Sequence, residues 1–161
     1  MPNGTRLTRD QQRARHAYDQ VGVMWSAYNR TPKGDDEARL RARKKCDNYE
    51  IAVKALGANI LRSGLSAALA DLMRRGDRAK DLREHIAIAA SELPGLTGAG
   101  EADLFRRVNN LETAQYMLTT RELLQVVMWL KRACEALFEF DDKGPDALGA
   151  AAGPRGAGNA R

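Results

Sequence analysis

The sequence predicts an all-α protein, and three features carry that reading. Long segments repeat their apolar residues at i, i+3 and i+4. Ala, Leu and Arg, which favour helices, are abundant while β-branched residues are sparse. Stretches of turn chemistry built on Gly and Pro separate the periodic segments. At 161 residues the chain is long enough to bury one core, so a single helical bundle domain is expected over 1–140.

Six helices are expected, roughly 8–29, 35–62, 65–75, 78–92, 101–117 and 120–139. The first ends at "RTPKGDD", where Pro32 and Gly34 interrupt and Asp35 or Asp36 can cap the second. Cys46, Tyr49, Val53, Leu56 and Ile60 form the core stripe of that second helix, which stops at "RSGLS", where Gly64 suits a left-handed residue. "RRGD" around Gly76 separates the third helix from the fourth. "LPGLTGAGE", with Pro94, Gly95, Gly98 and Gly100, reads as a mobile loop before the fifth. Thr119 or Thr120, followed by Glu122, offers an N-cap for the last helix. From 141 to 161 the Gly/Ala/Pro-rich text lacks bulk to bury and reads as a flexible, disordered tail.

Lys and Arg number 26 against 21 Asp and Glu, giving +5 and a pI near 9.5. That balance favours a polyanionic partner without demanding one. "MPNGTRLTRD" does not resemble a signal peptide and no apolar run approaches the roughly 18 residues of a membrane span, so a cytoplasmic protein without membrane contact is expected. Cys46 and Cys134 both face inward on helical projections, which predicts buried thiols rather than a disulfide.

The densest charge lies in "RLRARKK", residues 39–45, five cations in seven positions. Projected at about 100° per residue, Lys44 and Arg62 point away from the core stripe, with Arg41, Arg43 and Lys54 to either side. Arg39 and Lys45 lie at the margins, and Leu40, Ile51 and Ala58 interrupt the face with apolar side chains. Two readings remain open. The face is either solvated, with Asp47 and Glu50 as helical ion-pair partners, or a surface that tracks phosphates beside a protein neighbour. Arg9, Arg13 and His16 on the first helix, and Arg74, Arg75 and Arg78 after the third, could widen it. Tyr18, Trp25 and Tyr28 are spaced for packing rather than base stacking, so base-specific readout is not expected.

No enzyme is expected. His16 and His85 stand on different helices without metal-ligand spacing, no phosphate-cradling loop follows a strand, and the carboxylates alternate with cations as on a surface; neither metal nor cofactor is expected. A thiol nucleophile would need His85 to reach Cys134. In the last helix, Leu123, Val127, Leu130, Cys134 and Leu137 form the main stripe, widened by Leu124, Met128 and Phe138, with Trp129 on the far side. Such girth suits a central helix, or one pressed between the bundle and a partner that Trp129, Lys131 and Arg132 would contact.

Two stretches, "ALGANILRSGLSAALADLMRR" and "YMLTTRELLQVVMWLKRACEAL", resemble in order and separation the small helical subunit of type III-B CRISPR (Cmr) effector complexes. The resemblance spans roughly residues 8 to 140 and centres on Gly64-Leu65, Tyr116, Thr119 or Thr120, Glu122, Trp129, Leu130, Lys131 and Arg132. Ser63 stands where that family commonly has Asn, and the Gly/Ala tail is extra. The resemblance implies a non-catalytic subunit that stacks head to tail with copies of itself as a minor filament. The filament would lie beside the RNA-cleaving backbone subunit and among other Cmr subunits, along guide and target RNA in antiviral defence. A basic face without base-reading groups suits backbone contact, since guide pairing supplies sequence recognition. By residue type the RNA-backbone candidates are Arg41, Lys44, Lys45, Lys54 and Arg62, and the protein-interface candidates are Trp129, Lys131 and Arg132. The alternative is a protein-only helical adaptor whose basic face is merely solvated. A helix-turn-helix over "LSAALADLMRRGDRAKDLREHI" ranks last, because "HIAIAA" presents no polar groups to base edges.

Overall fold

A computed structural model describes residues 7–139, and these form six α-helices with one short 3-10 turn and no strand. The expected flexible tail, 141–161, lies outside the described residues. Thr8 opens α1 (Arg9–Arg30) with a capping box: its hydroxyl accepts the Gln11 N–H at 3.2 Å while its own N–H donates to the Gln11 side chain at 2.8 Å. Asp35 caps α2 (Asp36–Ser63) by accepting the Ala38 N–H at 2.9 Å. At Gly64, φ is +84° and ψ 167°, a region open essentially to glycine alone, so the chain can reverse directly into α3 (Leu65–Arg74). The 3-10 turn (Gly76–Ala79) then leads into α4 (Lys80–Ala90).

The all-α expectation holds, and the first four helices fall close to their predicted places. The last break does not. α5 (Glu101–Asn109) ends eight residues before the predicted 117, and α6 (Thr113–Leu137) starts well before Thr120. Thr119 is buried inside α6, and the Thr120 hydroxyl donates back to the Tyr116 carbonyl at 2.8 Å, so neither caps a helix. The segment 91–100 also differs from a bare loop. It is a string of tight turns that places Leu96 and Ala99 in the core, with Gly95 at φ +83° against Leu111.

α6 is the hub. It packs most extensively on α1 and next on α2, while α3 folds back along α2. Gly57 lets α2 and α6 approach closely, since a Cβ there would lie 3.3 Å from Val127 Cγ1. The predicted stripe of α2, Cys46, Tyr49, Val53, Leu56 and Ile60, is buried throughout, as are Leu123, Val127, Leu130 and Cys134 of α6. Ile86, Ala87 and Ala90 fill the core from α4, so the apolar face of "HIAIAA" is structural. Both cysteines are buried and free, as expected; burial pushes the Cys46 thiol up to about 11 and the Cys134 thiol to about 12. These are poor nucleophiles at neutral pH. His85 is paired with Tyr49 rather than with a cysteine, Nδ1 and Oη lying 2.7 Å apart, and burial pushes its pKa down to about 4.

Candidate nucleic-acid interface

The core stripe of α2 fixes the roll of the helix, so its opposite side must face outward. Lys44 and Arg62 are both exposed there, and among the described residues neither meets a carboxylate. Being 18 residues apart, they share one azimuth and lie about 27 Å apart along the axis. The other three RNA-backbone candidates have partners. Arg41 lies 3.6 Å from Glu37, Lys45 3.3 Å from Asp81 and Lys54 2.6 Å from Glu50. All three cations are substantially exposed, so these are screened surface pairs that a polyanion can displace at small cost. Leu40, Ile51 and Leu61 stand 66%, 58% and 75% exposed on the same helix.

The hairpin at Gly64 brings in cations whose position the sequence left open. α3 returns alongside α2 and sets Arg74, Arg75 and Arg78 opposite Asn48, Ile51 and Ala52, enclosing a groove of about 490 Å³. A hydrogen-bonded chain joins this groove to Arg62: the Arg62 guanidinium donates to Asn59 at 2.8 Å, and the Asn59 amide donates to Asp71 at 3.1 Å. Asp71 in turn accepts from Arg74 at 2.6 Å and Arg75 at 3.5 Å. The Arg74 hydrogen bond, helped by the Arg75 charge, holds the Asp71 carboxyl below the usual carboxylate range, so it stays ionised. Arg78 is exposed and pairs with no carboxylate among the described residues.

Arg9, Arg13 and His16 of α1 do not line this groove. Arg13 is drawn into a half-buried ion pair with Glu122 of α6, and Arg9, Arg15 and His16 line a separate cleft of about 540 Å³ that also holds Asp19, Glu92 and Glu122. That cleft is mixed in charge. On the far side of α6, Trp129 is half-buried, its indole N–H donating to Asp10 at 2.8 Å and its ring lying 4.9 Å from the Arg132 guanidinium carbon. Lys131 pairs with Glu135 at 3.8 Å. Trp129 thus braces α6 against the start of α1 while part of its ring faces solvent. Among the described residues no cluster of His, Cys, Asp and Glu could hold a metal ion, and no helix is long and apolar enough to cross a membrane.

Gly64 and Tyr116, the signature residues of the two resembling stretches, meet in space. The Tyr116 hydroxyl accepts the Ser66 N–H at 3.1 Å and lies 3.5 Å from where a Gly64 Cβ would project. The sequence pattern of a family described as CRISPR-associated protein (Cas_Cmr5) matches residues 9–137. The chain belongs to that family. An X-ray crystal structure of a CRISPR-associated Cmr5 family protein from Thermus thermophilus is similar, with 27% sequence identity and a TM-score of 0.61, over 83% of this chain and 100% of that one. No curated protein matches the chain significantly. The family match takes in all six helices, and with them the Gly64 turn and the Tyr116 clasp of this chain.

Proposed function

We propose that the chain is a non-catalytic structural subunit of a CRISPR-RNA-guided ribonucleoprotein of the type III-B Cmr class, acting in the cytoplasm in antiviral defence. Copies stack head to tail as a minor filament beside the RNA-cleaving backbone subunit, and the outer side of α2 contacts the RNA backbone through Arg41, Lys44, Lys45, Lys54 and Arg62. Trp129, Lys131 and Arg132 face protein neighbours. One observation supports the RNA contact above others: Lys44 and Arg62 are exposed on one azimuth, and neither meets a counter-charge among the described residues. The test is binding of the full chain to single-stranded RNA across a salt series, wild type against Arg41→Ala/Lys44→Ala/Lys45→Ala. The log–log slope should flatten by about 2, at about 0.7 per phosphate released. An unchanged slope moves the RNA site off this face.

A second reading, a protein-only adaptor, is favoured by the ion pairs of Arg41, Lys45 and Lys54, which supply those cations with counter-charges inside the chain. It predicts association with partner proteins that survives nuclease and ignores the triple substitution.

A further inference from the structure

The groove between α2 and the corner after α3 has a composition that solvation does not require. Its wall is three arginines and its floor is Asn48, Ile51 and Ala52, with no carboxylate among the lining residues. We infer that this groove is a binding site for the phosphodiester backbone of single-stranded RNA, clamped by Arg74, Arg75 and Arg78; the assignment rests on the RNA-contact reading above and adds to it a site off the outer face of α2.

Each guanidinium carries five N–H donors in a planar fork that matches phosphate oxygens. Asp71 accepts from Arg74 and from Arg75, and among the described residues neither makes another hydrogen bond and Arg78 makes none. Asp71, itself held by Asn59, therefore positions two of the forks while leaving most of their donors for a ligand. Asp77 is exposed on the 3-10 turn beside Arg78, and no carboxylate lines the groove itself. Preorganised arginines lose less side-chain freedom on binding an anion than mobile ones would.

The floor argues for a nucleic-acid backbone over an acidic protein segment. Ile51 is the one large apolar side chain in it, and no aromatic lines the groove, so it lacks the pocketed anchor on which protein interfaces depend. Without a stacking ring it also has no means of preferring a base. Lys44 lies one helical turn from Asn48, and Arg62 connects through Asn59 to Asp71, so the free cations of α2 extend the groove at both ends.

The experiment uses the full chain and a fluorescent oligo(U) of roughly 20 nucleotides, titrated from about 50 mM KCl upward. In Arg74→Gln/Arg75→Gln/Arg78→Gln the affinity should drop at least about tenfold and the log–log salt slope by about 2. Because the triple variant could lose structure, Arg78→Gln alone, whose side chain has no partner among the described residues, should lower the slope by about 0.7, and the triple lysine variant should keep the wild-type slope. Wild-type slope and affinity in both glutamine variants would overturn the groove assignment while leaving RNA contact elsewhere on α2 intact. Failure of the wild type to bind oligo(U) would overturn both. Displacement of oligo(U) by polyglutamate at equal charge concentration would also overturn it, making the occupant an acidic segment.

Discussion

Along the α1–α6 seam Arg13 meets Glu122 with their side chains only 19% and 10% exposed, whereas on the outer side of α2 Arg41 meets Glu37 with 71% and 81% exposed. The same pair of charges has opposite energetic meaning in the two settings. In the seam, each ion has lost most of its water, so removing one strands the other in a low-dielectric environment. On α2 water solvates both partners whether or not they touch, and the pair contributes at most about 1 kcal/mol. Charge in the seam fixes α1 to α6; charge on α2 remains exchangeable, as the proposed RNA contact requires.

The contrast is most strongly tested by Glu122→Ala. It should destabilise the bundle by about 2–3 kcal/mol in urea unfolding, discounted from a fully buried pair because Arg13 keeps some solvent contact. Adding Arg13→Met should recover much of the loss, since the stranded charge is then gone. A cost below about 0.5 kcal/mol would put the seam pair in the same class as those on α2.

A smaller effect is expected on the inner side of α2, where His85 packs against Tyr49. Its pKa is depressed by burial to about 4, below its ordinary value of 6.5, so the unfolded chain binds the extra proton first as pH falls. The stabilisation is fully present above about pH 6.5 and is lost progressively between there and about 4, amounting to about 2 kcal/mol after allowance for partial exposure. His85→Gln should remove that part of the pH dependence measured by unfolding between pH 4 and 7. If the wild type shows no decline over that window, the imidazole is not sealed from solvent.

The smallest effect belongs to the exposed pair on α2. Lys54→Ala removes the contact with Glu50 and should shift the unfolding free energy by no more than about 0.5 kcal/mol. A loss above about 1.5 kcal/mol would mean that this face is structural and would weaken its reading as a binding surface.

How much of this was legible in the sequence depended on distance along the chain. The stripe from Cys46 to Ile60 was readable because burial of one helical face imposes its own period, and the free azimuth of Lys44 and Arg62 followed from the same projection. Asp35 and Gly64 were readable from local backbone chemistry. The Thr119–Thr120 break was misread because threonine favours caps when nothing else constrains it; here packing buries Thr119, and Tyr116 supplies a backbone acceptor for Thr120. Leu96 was hidden in a glycine-rich text whose turns are tight enough to insert one leucine. Trp129 could be placed on the far side of its helix, but its partner Asp10 lies 119 residues away, beyond any local pattern. The arginine groove required the direction in which α3 returns along α2, which neither helix encodes alone.

The dominance of the α1–α6 pairing has a consequence for how the molecule is made. A ribosome delivers α1 first and α6 last, so Val21 and Met24 emerge long before the helix that completes their cover has been synthesised. The nascent chain therefore carries the flank of α1 without its main partner, covered in part by α2, until α6 has been made.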